Sequence, residues 1–387
     1  MKQNTLGKVV LALAIVASSI SQAVACTVLL YTDAKGRAYT GRTLEFIGDA
    51  PNQMVYFPVG TRIESVTPDG KQGKTFNTKH AIFAVTVTGI VPNAKQDALH
   101  EAINDQGLTI TTNSLGGNVG PNVRNTPQDK VLSGLDLGTW ALGNFENVAQ
   151  VKKALNNKEV EVWLPVVPLL GTENMPLHYA LFDRTGAGIV IEWSNGETIV
   201  YDNPIGVMTN NPPFPWHVQN MSNYANLTNI DKNSGQFNKL KVHTFDGGSN
   251  MATVPSIQTS PGRFVKAAYY SNYADKAKTP EQAILTLGHV MNNFDRPYGI
   301  SVDTQNDMPG GERALSTSKS TKPVGEVTNW TVLRDLTQNH FYIRTINNLN
   351  FAKFDVNKLS ALKETKVVSM KTLDANTRYD ATDLFLK

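Results

Sequence analysis

One residue type in this chain is scarce enough to be informative. Among 387 residues there is a single cysteine, Cys26, and it follows directly on Ala23-Val24-Ala25. A cut after Ala25 would leave Cys26 with both a thiol and a free α-amine. The thiol can attack a carbonyl carbon. An α-amine, with an ordinary pKa near ~8, can take the thiol's proton close to neutral pH. Nucleophile and base then share one residue, so no separate Cys–His pair is needed. In the uncut chain the same nitrogen is an amide and cannot act as a base. The chemistry on offer is acyl transfer that depends on proteolytic maturation.

Competing uses of the same residues are weaker. Of the seven histidines, His80, His178 and His217 are candidate partners for the thiol, but none sits in a distinguishing motif. His178 lies among apolar residues and reads as a hydrogen-bonded sheet position. A lone cysteine excludes an intrachain disulfide and a four-cysteine metal site, and there is no H-x-x-x-H pair. No metal and no other cofactor is expected. A lipoprotein also carries cysteine after its cleavage point, yet its usual leader has a leucine-like residue where this chain has Ala23.

Around the thiol, Arg42 can supply positive charge, and Glu45 can accept from the α-ammonium or orient Arg42. Taken alone, this pair could equally be a surface salt bridge on a hairpin. Asn210, ahead of Pro212, Pro213 and Pro215, suits a rigid amide donor for a tetrahedral oxyanion, or an ordinary turn.

Several elements must position these groups. Lys2 and Lys8 precede an apolar run from Val9 to Ile20, which with Ala23-Val24-Ala25 reads as a signal peptide over residues 1–25. The run is too short to span a bilayer comfortably. The formal charge of +3 falls when the two leader lysines leave. No nucleic-acid partner and no stable membrane span are expected, and no zinc spacing or phosphate-cradling loop occurs. Strands are predicted at Cys26–Tyr31 and Ala38–Phe46, turned at Asp33–Gly36, which returns Arg42 and Glu45 toward Cys26. Further strands are expected at His80–Thr88, Gly107–Asn113, His178–Phe182, Gly188–Trp193, Thr198–Tyr201 and Val207–Asn210. Asn195-Gly196 is the strongest short hairpin signal. Helical spacing runs from Gly134 to Leu155 with a break near Gly143-Asn144, and again over Arg263–Tyr270 and Pro280–Met291. A late hairpin joins Asn329–Leu333 to His340–Thr345. With no linker or repeat, residues 26–387 read as one α+β domain with an extensively antiparallel sheet.

At this point the residues resemble the choloylglycine hydrolases, the bile salt hydrolases and penicillin V acylases within the N-terminal nucleophile hydrolases. The opening Cys-Thr, then Gly-Arg-x-x-acid at Arg42 and Glu45, is similar to the family's start. AINDQGL (102–108) resembles its N-E-x-G-L turn. PLHYALFDRTG, IVIEW and YDNPIGVMTNNPPFPWHVQNMSNY form the strongest match, and SPGRF resembles the motif of a second catalytic arginine, here Arg263. TNWTV and HFYIRT are similar to the closing strands.

The resemblance implies a four-layer αββα sandwich of two antiparallel sheets. It implies Cys26 as nucleophile and base, Arg42 beside the thiolate, Asn210 at the oxyanion, and Arg263 stabilising charge or orienting the first residue. The reaction implied is hydrolysis of a linear, non-peptide amide through a thioester acyl-enzyme. Two positions depart from the pattern. Glu45 stands where the family usually has Asp. Ser114 stands at the second oxyanion position, commonly Asn or Tyr, with Asn113 one place earlier. The backbone N–H of Ser114 is the favoured donor; use of the Asn113 side chain would require a one-residue bulge.

The leader resembles that of a Gram-negative exported branch, periplasmic or secreted, in which signal peptidase would create the nucleophile. Members are often tetramers, so the resemblance allows for a homotetramer. Phe46, Tyr56, Phe57, Leu115 and the segment Trp163 to Leu170 offer apolar lining for a hydrophobic acyl group. Small-molecule amides of that kind include penicillin V, conjugated bile salts and N-acyl-homoserine lactones. The rival reading is a catalytically inactive or lipid-anchored exported binding protein of the same fold.

Overall fold

A computed structural model describes residues 25–47, 50, 52–87, 96–167, 174–302 and 325–376. The expected leader, apart from Ala25, lies outside the described residues, as do positions 168–170 of the expected lining segment. No helix among the described residues is long and apolar enough to cross a membrane.

Two antiparallel sheets dominate. The six-stranded sheet runs, in spatial order, Val207–Met208, Cys26–Thr32, Ala38–Ile47, Glu326–Asp335, His340–Thr345 and Ala352–Asp355. The eight-stranded sheet runs Glu197–Asp202, Gly188–Ser194, Leu177–Phe182, Thr109–Ser114, Ala98–Asn104, Ile82–Val87, Asn52–Phe57 and Lys366–Ser369. Helices Ser260–Tyr273 and Pro280–Asn292 cover the outer face of the first sheet, against Cys26–Thr32 and Ala38–Ile47. Helices Leu137–Asn144 and Val148–Asn156 cover the outer face of the second. The layers are αββα, as the resemblance implied.

Strand Ala38–Ile47 shows how the sequence builds the sandwich. It is buried along its whole length, because it lies between a helical layer and the other sheet. Side chains alternate across a strand, so Thr40, Arg42, Leu44 and Phe46 look into the space between the sheets. Tyr39, Gly41, Thr43 and Glu45 look toward the helices. Gly41 is needed for close approach: a Cβ there would meet Met291 Cγ and Sδ at 2.7 Å and Leu287 Cδ1 at 3.0 Å. Helix Pro280–Asn292 thus seats directly on the backbone next to Arg42.

Most predicted elements are present with edges moved by a few residues. The first hairpin pairs Cys26 with Leu44 and Val28 with Arg42, turning through Gly36 at φ +75°. Asn195 and Gly196 both take positive φ, +53° and +82°, as a type I′ hairpin requires. The segment Val207–Asn210 is shorter than expected, with only Val207–Met208 in the ladder, paired to the Cys26 strand at Val28 and Leu29. Strand Asn52–Phe57 and hairpin Ser234–Phe237 to Leu240–His243 were not foreseen.

Candidate active site

Cys26 heads the strand Cys26–Thr32 and is 1% exposed. Burial pushes its thiol up to about 11; Glu45 and Glu326 add to that, while Arg42 and Arg263 pull the other way. A thiol so placed stays protonated at neutral pH and needs a base to act. Among the described residues no histidine hydrogen-bonds it. His178 is a buried sheet residue bonded to Glu192 Oε1 (2.9 Å) and Thr209 O (3.1 Å), as its apolar neighbours suggested. His217 stacks on Phe264, shares a 2.9 Å hydrogen bond with Asn210 O, and is held down to about 4 mainly by burial.

Arg42 reaches the thiol from the neighbouring strand, with Nη2 3.4 Å from Cys26 Sγ. The same Nη2 donates to Thr112 O at 2.7 Å, and Nε donates to Asn113 Oδ1 at 3.4 Å. The guanidinium carbon lies 4.6 Å above the Trp330 ring. These contacts come from both sheets, so the sandwich itself aims the charge at sulfur.

Arg263, on helix Ser260–Tyr273, approaches from the helical side. It donates to Cys26 O, to Thr27 Oγ1 (2.7 Å) and to Asn210 Oδ1 (2.8 Å). Asn210 Oδ1 also accepts from Cys26 N at 2.8 Å, while its Nδ2 donates to Ser114 O at 2.9 Å. Both of these contacts of the amide oxygen are with donors, which fixes the orientation of the side chain. Asn210 therefore bridges the nucleophile's nitrogen, the second arginine and the end of strand Thr109–Ser114.

The Asn113–Ser114 pair differs from the expectation in one respect. Strand Thr109–Ser114 pairs with Leu177–Phe182 along its whole length, and with Ala98–Asn104 from Thr109 to Thr111, with no register shift in either ladder. Asn113 nevertheless reaches the inter-sheet space, accepting from Arg42 and donating to Thr209 O at 2.8 Å. No bulge is needed, because alternation already turns odd-numbered residues of this strand toward Arg42. Ser114 turns away, its hydroxyl donating to Pro176 O at 3.1 Å and its carbonyl facing Asn210.

Glu45 corrects a second expectation. It does not orient Arg42: three residues apart on one strand, the two lie on opposite faces. Glu45 accepts from Thr328 Oγ1 at 3.2 Å through Oε1, while Oε2 is buried and has no hydrogen-bond partner among the described residues. Burial raises its carboxyl above the usual range, with Arg263 opposing. The carboxylate that meets Arg42 is Glu101, 3.3 Å from Nε, a residue sequence reasoning passed over although it immediately precedes AINDQGL. Also missed was Glu326, which accepts from Ala25 N at 3.2 Å and pairs with Arg296.

Of the proposed apolar lining, Phe46 and Tyr56 belong to the same buried cluster as Cys26. Phe57 instead packs in the core beneath helices Leu137–Asn144 and Val148–Asn156, away from the thiol. Leu115 is buried. Trp163 lines a cavity of about 580 Å³ with Thr67, Arg124 and Asn174, to which Cys26, Arg42 and Asn210 do not contribute.

The four layers, with a cysteine heading an inner-sheet strand against two arginines and an asparagine, define an N-terminal nucleophile hydrolase sandwich. Over residues 26–370 the chain matches the family of linear amide C–N hydrolases, choloylglycine hydrolase family, and it belongs to that family. It is 27% identical over 222 residues to a bile salt hydrolase/transferase of Clostridium perfringens, a stretch of 57% of this chain and 60% of that protein. It is 24% identical over 319 residues to a penicillin V acylase of Pectobacterium atrosepticum, covering 78% of this chain and 77% of that one. The crystal structure of a variant of conjugated bile acid hydrolase from Clostridium perfringens has the same fold. Its TM-score is 0.70 at 22% identity, over 89% of this chain and 97% of that chain.

Proposed function

We propose that the mature protein begins at Cys26 and hydrolyses linear amides with a hydrophobic acyl group. One observation carries this reading: a buried, protonated thiol lies 3.4 Å from Arg42, and its own nitrogen is held by Asn210 Oδ1. Once that nitrogen is an amine, it is a base fixed beside the nucleophile. It takes the Sγ proton, sulfur bonds to the amide carbonyl carbon, and the oxygen gains the negative charge. Asn210, with the Asn113–Ser114 segment, supplies hydrogen bonds to that oxygen. The ammonium then gives its proton to the leaving nitrogen, the C–N bond breaks, and a thioester remains. Water, deprotonated by the same amine, displaces sulfur and releases the carboxylic acid. Arg42 stabilises the thiolate before attack and again as water releases it, and Arg263 holds the carbonyl of Cys26 and the amide of Asn210. Glu45 is one of two carboxylates whose charge acts on Cys26, and its unpartnered Oε2 is suited to the α-ammonium.

Export and activation are one event in this reading. Signal peptidase, removing residues 1–25, would create the base, and the protein would work in the periplasm or outside the cell. The leader pattern and a family match that starts at Cys26 support this. The substrate classes follow from relatives named as bile salt hydrolase/transferase and as penicillin V acylase, with long-chain acyl-homoserine lactones as the third candidate. The test is turnover by the exported, processed protein of penicillin V, glycine- and taurine-conjugated bile salts and acyl-homoserine lactones. Turnover of one class with loss in Cys26→Ser supports the reading. No turnover of any, or a diacylglycerol on Cys26, would favour an inactive or lipid-anchored binding protein.

A further inference from the structure

Arg42 is the cation nearest the nucleophile, and its own anchoring is unusual. The guanidinium is fully buried, so it must be held by groups that are themselves fixed. Its Nε lies 3.3 Å from Glu101 Oε2, and both side chains are 0% exposed. The other oxygen of Glu101 pairs with Arg334, also 0% exposed. Thr111 Oγ1 donates to both oxygens of Glu101, at 3.0 and 2.9 Å. Arg334 is fixed in turn by Thr40 Oγ1 (2.8 Å) and Ala102 O (3.0 Å).

These groups come from both sheets: Thr40, Arg42 and Arg334 from one, Glu101, Ala102 and Thr111 from the other. A register shift helps to place them. Val85 pairs with Glu101 and Thr86 with Leu99, so His100 is an extra residue. His100 lies edge-on to Trp330 at 5.7 Å, on the ring over which Arg42 sits. Burial and the neighbouring Arg42 hold the His100 pKa well below its usual value, so it adds no second cation.

We propose that Glu101 is the positioning residue for Arg42, and that Arg334 holds Glu101 in place. This rests on the reading of Cys26 as nucleophile and Arg42 as its cation. Buried ion pairs are poor sources of stability, because desolvation offsets their attraction. Their attested use is to fix geometry. Here the geometry fixed is the reach of Arg42 Nη2 to Sγ, while Glu101 holds the neighbouring Nε of the same guanidinium.

The test is Glu101→Gln in the protein processed to Cys26, read by the pH dependence of Cys26 alkylation and by kcat and KM. Two accounts of Glu101 predict opposite signs. A residue acting only through its charge would, on losing it, leave Arg42 less offset, and the thiol would ionise at lower pH. A positioning residue would release Arg42 from the sulfur, and the thiol would ionise at higher pH. We expect the higher pH, with kcat down about 10- to 100-fold and KM little changed. An unchanged or lower ionisation pH overturns the proposal. Glu101→Gln leaves two buried arginines uncompensated, which puts its folding at risk. Glu101→Gln combined with Arg334→Met removes one of the two, and leaves only Arg42, the residue under test, without its carboxylate. It should fold yet keep the raised ionisation pH and low kcat; a wild-type profile in it also overturns the proposal. Alkylation needs no substrate, so failure of the amidase reading would appear separately, as wild-type protein with a normal thiol titration and no turnover.

Discussion

Arg42 and Glu45 stand three residues apart on one buried strand and face opposite layers of the molecule. Arg42 looks between the sheets at Cys26 Sγ, while Glu45 looks toward the helices that carry Arg263. The nucleophile is thus served from two sides by groups that do not touch each other. Each side can be tested alone.

Arg42→Lys keeps a positive charge but loses the planar fork that binds Sγ, Thr112 O and the Glu101 edge together. We expect kcat/KM to fall about 100-fold and Cys26 to be alkylated only at higher pH. Steady-state kinetics and a thiol titration check this. Near-normal values would mean that charge alone suffices.

Glu45 acts on the other side. Its charge raises the thiol pKa, so Glu45→Gln should lower the pH at which Cys26 is alkylated. If Glu45 also accepts from the α-ammonium, as proposed, kcat/KM should fall even as the thiol becomes more reactive. Glu45→Asp restores the usual family residue but withdraws the carboxylate from Thr328. A loss of about 10-fold is expected, since displacements near an ångström cost that much or more. A gain in rate would show that the longer side chain is a defect rather than an adaptation.

Asp136 gives a pH prediction for stability. It is buried, with Ser65 and Gln96 as hydrogen-bond donors, and burial raises its pKa from 3.8 to about 6. A folded-state pKa above the unfolded value means that the contribution is fully present below about pH 4 and is lost as pH rises through about 6. Relative to Asp136→Asn, the wild type should therefore lose up to about 3 kcal/mol between about pH 4 and pH 7. Urea unfolding of both proteins across that range measures it. Parallel stability curves would contradict it.

Gly41 tests the seating of the helical layer behind Arg42. Gly41→Ala places a methyl 2.7 Å from Met291 Sδ, and overpacking of this kind costs about 1–3 kcal/mol. Met291→Ala in the same chain should recover part of the loss. Thermal unfolding of the single and double variants decides it; additive losses would mean that the two positions do not meet.

Cys26, Arg42, Asn210 and Arg263 were legible in the sequence, since each lies in a distinctive local motif, and the structure brings all four together. The face on which Glu45 sits was misread where Glu45 was expected to orient Arg42, although a spacing of three on a strand puts two side chains on opposite sides. Glu101 was not legible. It touches Arg42 only through the stacking of two sheets, and the extra residue His100 interrupts simple counting along its strand. Strand Asn52–Phe57 was missed because its inner part is buried on both faces and shows no alternation. The Ser234–His243 hairpin is nearly all exposed and carries no core-facing pattern to read.

The central claim is that the α-amine of Cys26 is the catalytic base. The most direct test is to express the full chain with export intact and measure the mature protein's intact mass and N-terminus. Turnover is then compared with that of a form carrying one additional alanine before Cys26. The account predicts a mature chain beginning at Cys26 that turns over an amide of one of the three classes, and an extended form whose thiol is present but catalytically silent. A mature chain that begins elsewhere, or an extended form as active as the processed one, would contradict it.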